Sequence, residues 1–92
     1  MKQAHVFISG FVQGVGYRAY TRSKAKKIGL HGWVRNLSDG RVEAVLQGDR
    51  EKINRLLKYC RRGPFFAKVT DIVVDWEEQK EQFLEFSKLE TV

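Results

Sequence analysis

His31-Gly32-Trp33-Val34-Arg35-Asn36-Leu37, then Ser38-Asp39-Gly40, then Arg41-Val42-Glu43-Ala44-Val45-Leu46-Gln47 is the stretch on which the fold turns. Both flanks read as strands. Asp39-Gly40 between them suits a tight turn, because Asp-Gly flanked by apolar runs is a strong hairpin signal. Strands over 31–37 and 41–47 are therefore expected side by side. What lies on either side of this hairpin decides the architecture.

Upstream, Arg18 to Ile28 places Thr21, Ala25 and Ile28 at i, i+4 and i+7 on one helix face, and Gly29 ends it as a C′ glycine would. Before it, His5-Val6-Phe7-Ile8-Ser9 is short and β-rich, which suits a central strand. Downstream, Gly48 closes the hairpin and Asp49 is the expected N-cap of a second helix. That helix carries Ile53, Leu56, Leu57 and Cys60 as an apolar stripe and stops at Gly63-Pro64. Val69 to Trp76 alternates, with Thr70, Ile72, Val74 and Trp76 on one face of a half-buried strand. A short last strand is expected over Phe83 to Phe86. The order is β-α-β-β-α-β with a short further strand. It predicts an α+β chain in the ferredoxin-like split βαβ sandwich: one antiparallel sheet with two helices on one face. Many unrelated activities share that fold, so function must come from a site.

No linker or repeat interrupts the 92 residues, and a single domain over 1–92 is expected. Hydrophobic residues make up 42% and charged residues 30%, the balance of a soluble globular chain. No run approaches the ~18 apolar residues of a membrane span, and residues 1–5 open no signal peptide. The single cysteine, Cys60, excludes an internal disulfide and fits the buried stripe of the second helix. Together with two histidines at unrelated spacings it forms no metal-ligand set. A cytoplasmic location, with no metal and no cofactor, is the expectation.

Seventeen Lys and Arg against eleven Asp and Glu give a net +6. Every acid falls at Asp39 or later, so the first 38 residues carry +7 and the rest set ten bases against eleven acids. A positive half attracts phosphates, nucleic acid or an acidic surface. The plainer reading is a solvated helix face beside an acidic C-terminal strand.

Between the first strand and the first helix lies Gly10-Phe11-Val12-Gln13-Gly14-Val15-Gly16, too glycine-rich for regular structure. Such a loop can turn successive backbone N–H groups toward one point at a helix N-terminus, which makes an anion nest. Arg18 adds a planar fork of donors suited to phosphate oxygens. The alternative is a tight strand-to-helix turn beside an exposed arginine. Gly14-Val15-Gly16-Tyr17-Arg18-Ala19 does match G-x-G-x-x-A, and Asp39 lies 20 residues beyond Ala19. A dinucleotide site nevertheless fails, because Asp39 belongs to the hairpin turn and the chain cannot build a doubly wound sheet. A Walker loop fails as well, since no Gly-Lys-Ser/Thr follows Gly14. Asn36 could cap the hairpin through side-chain to backbone bonds. Arg35 alternates to the opposite face and is expected to be solvated. Trp33 and Trp76 are expected on the core or a sheet face.

These segments resemble the acylphosphatase family. Gly10 to Arg18 is similar to its G-x-V-Q-G-V-x-[FY]-R signature. Gly32-Trp33-Val34-Arg35-Asn36, followed after three residues by Gly40-Arg41-Val42, is similar to the second. Gly63-Pro64-Phe65-Phe66-Ala67-Lys68-Val69 is similar to a G-P-x-x-A-x-V segment. The resemblance covers residues ~5–86. It departs at the end, where Phe86 is followed by Ser87-Lys88-Leu89-Glu90-Thr91-Val92 rather than a terminal aromatic.

The resemblance implies a small-molecule acyl phosphate substrate, hydrolysed to a carboxylate and inorganic phosphate. It makes Gln13, Gly14, Val15, Gly16, Tyr17 and Arg18 the phosphate-binding loop, Arg18 the catalytic arginine, and Asn36 the residue that positions water. The leaving carboxylate has a conjugate-acid pKa of roughly 4 and departs without a general acid. Positioning and charge stabilisation then suffice for the transfer. His5 and His31 lie outside the loop, so the substrate phosphate itself is the expected proton acceptor. Inorganic phosphate or other anions are expected as competing ligands, and a monomer as the working form.

An RNA-binding module shares the βαββαβ order. Its third strand carries stacking aromatics, whereas Arg41-Val42-Glu43-Ala44-Val45-Leu46 has none, so no nucleic acid partner is expected. Neither is a membrane. A non-catalytic adaptor with the same nest, or a domain of a larger maturation protein, is a further alternative. The starting Met and absence of linkers favour the free enzyme.

Overall fold

The structure, a computed structural model, describes residues 2–92. Ala4, Val6 and Ile8 alternate onto one face of β1 (Lys2–Phe11) and are fully buried there. The strand extends beyond His5–Ser9 at both ends. After it come α1 (Tyr17–Ile28), β2 (His31–Asn36), β3 (Val42–Gly48), α2 (Arg50–Arg62), β4 (Lys68–Glu77) and β5 (Phe86–Lys88). The sheet order is β4-β1-β3-β2-β5. β1 pairs antiparallel with β3 and β4, and β2 antiparallel with β3, as the split βαβ pattern requires.

Both helices bring their apolar stripes to a shared core. Tyr17 and Ala25 of α1 and Ile53, Leu56, Leu57 and Cys60 of α2 pack with Val6, Ile8, Val34, Ala44 and Leu46 of the strands. Ile28 is only half-buried at the C-terminal end of α1, which Gly29 closes by donating its N–H to Ala25 O. Asp49 is the N-cap of α2 and Gly29 the C-cap of α1, although Asp49 makes no side-chain capping bond. Among the described residues no helix is long and apolar enough to cross a membrane.

The structure corrects the sequence reading in three places. The last strand is Phe86–Lys88 rather than Phe83–Phe86, and it joins β2 in parallel, opposite Gly32 and Val34. Phe86 sets that register by burying its ring in the core, while Phe83 donates its N–H to Gln47 Oε1 at 3.0 Å. In β4 the pairing jumps from Ser9–Asp71 to Gly10–Val69, which leaves Thr70 in a bulge. Val69, not Thr70, therefore turns inward ahead of Ile72, Val74 and Trp76.

Arg35 is the third correction. Its Nε donates to Glu43 Oε1 at 2.7 Å and its guanidinium lies over the Trp33 ring at 4.8 Å. His5 Nε2 approaches the other Glu43 oxygen at 2.6 Å. Cross-strand register makes this cluster, since Arg35 lies directly opposite Glu43. Burial disfavours the Glu43 carboxylate, but the hydrogen bonds from His5 and Arg35 outweigh it and hold its pKa below the usual range.

Candidate active site

β1 ends at Phe11 and α1 begins at Tyr17, so residues 12–16 reverse the chain. Val12 anchors the loop in the core. Gly14 and Gly16 take φ of 74° and 79°, the left-handed region that a Cβ disfavours. A Cβ at either would meet nothing within 4 Å, so the demand is conformational rather than steric. Gly16 is the N-cap of α1 and has no side chain with which to cap it. The first-turn amides are thus orphaned. Among the described residues, the main-chain N–H groups of Gln13 to Ala19 donate to no carbonyl or side chain.

Side chains hold the loop from outside. Gln13 Nε2 donates to Leu37 O and Arg41 O, both at 2.8 Å, which fastens the loop to the β2–β3 hairpin. Val15 is half-buried against the core. Tyr17 is 2% exposed and donates its hydroxyl to Cys60 O at 2.6 Å. Burial pushes the Tyr17 phenol far above its usual pKa, and the Cys60 thiol up to about 11. Both belong to the scaffold.

Arg18 Nη1 donates to Leu89 O at 2.8 Å, and among the described residues its other donors have no protein partner. Asn36 closes β2 and is buried. Its carbonyl accepts from Val92 N–H at 3.1 Å, and Val92 O accepts from Ser38 N–H at 2.7 Å. The Asn36 side chain does not cap the hairpin: Oδ1 is buried with no hydrogen-bond partner. Gln13 fills that role. An unsatisfied buried oxygen costs about 1–3 kcal/mol, so it calls for a functional reason.

Arg18 and Asn36 meet at a cavity of about 120 Å³, lined with Val12, Gly14, Gly16, Tyr17, Ala19 and Lys88. At ~30 Å³ per water-sized group the space suits a phosphoryl group. No carboxylate lines it. Larger hollows exist, but the one at Lys2, Arg50 and Trp76 is rimmed by Glu77 and Glu78, which repel a dianion. The smaller cavity, where the glycine loop, Arg18 and Asn36 converge without an acid, is the candidate site.

Of the loop positions expected from the sequence, Gly14, Gly16, Tyr17 and Arg18 line the cavity, whereas Gln13 and Val15 brace it from behind. His5 and His31 do not line it. Val12, Ala19 and Lys88 were missed. The first two simply flank the motif. Lys88 arrives through the β5 register, for which the sequence carries no signal. Among the described residues no group of three or more His, Cys, Asp or Glu side chains stands ready for a metal ion.

Comparison with known proteins supplies the family. The chain is 51% identical over 92 residues to an acylphosphatase of Methylococcus capsulatus, covering 100% of both. It is 57% identical over 76 residues to one of Chloroflexus aurantiacus, covering 83% of each. The crystal structure of acylphosphatase from Bacillus subtilis superposes with a TM-score of 0.94 at 37% identity, covering 97% of this chain and 99% of that one. A sequence model of the acylphosphatase family matches residues 4–88. On fold, loop and relatives together, the chain belongs to the acylphosphatase family.

Proposed function

We propose that the main-chain amides of Gln13 to Arg18 cradle the phosphoryl group of an acyl phosphate, with Arg18 and Asn36 as the catalytic side chains. The chain is an acylphosphatase: it hydrolyses the carboxyl–phosphate anhydride bond to a carboxylate and inorganic phosphate. Water attacks phosphorus, the bond to the carboxyl oxygen breaks, and that oxygen keeps the electron pair. The leaving carboxylate needs no proton, so no general acid is called for. Arg18 stabilises the equatorial oxygens through the donors that Leu89 leaves unclaimed. Asn36, whose Oδ1 has no protein partner, accepts from the attacking water and holds it in line. The water's proton passes to a phosphoryl oxygen, since no histidine or carboxylate lines the cavity.

One observation carries this reading: unclaimed amides, a half-committed guanidinium and an orphan amide oxygen belong to residues around one acid-free cavity. Inorganic phosphate and similar anions compete for the same cradle. The buried lone thiol of Cys60 supports a reducing, cytoplasmic setting. The test is steady-state hydrolysis of benzoyl phosphate with inorganic phosphate as inhibitor. Turnover with competitive inhibition is expected, and non-competitive inhibition would remove the shared cradle.

A further inference from the structure

Lys88 lines the phosphate-sized cavity although no sequence motif includes it. It is the last residue of β5 and lies opposite Val34 in the parallel pairing. Phe86 and Val34 on that face are buried in the core, and Asn36 is the next position along β2 on the same face. Register thus brings the Lys88 stem beside Asn36 and Arg18. Among the described residues Lys88 forms no ion pair; the pairs present are His5–Glu43, Arg35–Glu43 and Arg41–Asp39. No acid in the cavity neutralises it.

A phosphoryl dianion has two charges to satisfy. Arg18 supplies one and has committed part of its fork to Leu89 O. We infer that Lys88 is the second cation of this site and binds the phosphoryl group directly. The inference rests on the cradle reading above and adds a residue to it. Arg18 gives a fixed fork, whereas Lys88 gives a movable point charge on a flexible stem. The attraction does not depend on bond order at phosphorus, so substrate, transition state and product phosphate all feel it. Uniform binding of that kind lowers KM and leaves kcat in place. Lys88 is exposed, so salt screens it. A lysine on an edge strand also has a structural use, keeping the edge from pairing with another chain, and that use leaves phosphate affinity untouched.

The experiment compares wild type, Lys88→Gln and Lys88→Arg for benzoyl phosphate hydrolysis, inhibition by inorganic phosphate, and sedimentation. At low salt Lys88→Gln should raise KM and the phosphate inhibition constant together by about five- to tenfold, with kcat within about twofold. Lys88→Arg should recover most of that loss, and added salt should shrink the gap. An unchanged inhibition constant in Lys88→Gln overturns the inference, whether or not that variant self-associates. A fall in kcat with phosphate affinity intact overturns it too. Wild type that hydrolyses benzoyl phosphate and is inhibited by phosphate, beside an indifferent Lys88→Gln, removes this inference alone. Wild type that does neither removes the cradle reading as well.

Discussion

The Arg18 guanidinium donates to the main-chain oxygen of Leu89 at 2.8 Å, so the C-terminal segment holds one edge of the fork. Leu89 is itself fixed, its N–H donating to Val34 O at 2.8 Å. The side chain is therefore preorganised before any substrate arrives. An ammonium at this position cannot hold Leu89 O and present a planar pair of donors at once. Arg18→Lys and Arg18→Ala should both lose about 10²–10³ in kcat on benzoyl phosphate, the scale of one preorganised donor. Full activity in Arg18→Ala would end the assignment of this residue.

Asn36 should separate activity from stability. Its buried Oδ1 has no partner, and removing an unsatisfied oxygen relieves about 1–3 kcal/mol of desolvation cost. The small cavity left behind offsets part of that gain. Asn36→Ala should therefore melt no lower than wild type while kcat falls at least about 10²-fold. Phosphate inhibition should change little, because water positioning rather than anion binding is lost. A variant that melts well below wild type would instead make Asn36 a structural residue.

Much of this was legible in the chain itself, and the exceptions share a cause. Gly14, Gly16 and Arg18 sit within one short segment whose local geometry sets their roles, so the sequence exposes them. Asn36 needed the family resemblance, since a residue at the end of a hairpin strand has an ordinary capping use. Lys88, Leu89 and the bulge at Thr70 depend on register between strands far apart in sequence. No local pattern encodes that register. The solvated reading of Arg35 failed for the same reason: its carboxylate partner stands on the neighbouring strand.

Gln13 touches the hairpin and does not line the cavity, yet it should matter to both stability and rate. Its amide nitrogen donates a second hydrogen bond to each of Leu37 O and Arg41 O, carbonyls of the turn that already accept from Gly40 and Leu37 N–H. Gln13→Ala removes both bonds and loosens the loop from β2, where Asn36 stands. A stability loss of about 1–3 kcal/mol in urea denaturation is expected. A several-fold fall in kcat should accompany it, as the amides and Asn36 lose their fixed separation. Stability lost with kcat fully retained would show that the loop holds its shape without this tether.

Glu43 allows a test of pH dependence away from the cavity. His5 and Arg35 hold its carboxylate pKa below the unfolded value of about 4.3, against the opposing effect of burial. A depressed folded pKa means the unfolded chain binds the proton first as pH falls. The associated stability is therefore complete above the unfolded pKa and drains away as pH drops through the folded one. Glu43→Gln keeps the shape and removes the charge. At pH 7 it should cost about 2 kcal/mol, roughly 10 °C in Tm for a domain of this size. As pH falls below the unfolded value and on through the lower folded one, the two melting temperatures should converge, because only there does wild-type Glu43 become neutral in the native state too. Turnover at neutral pH and assay temperatures below the melt should match wild type, since Glu43 does not line the cavity. A Tm gap that stays constant from pH 7 to pH 3 would show that packing, and not the charge held between His5 and Arg35, sets the value of this residue.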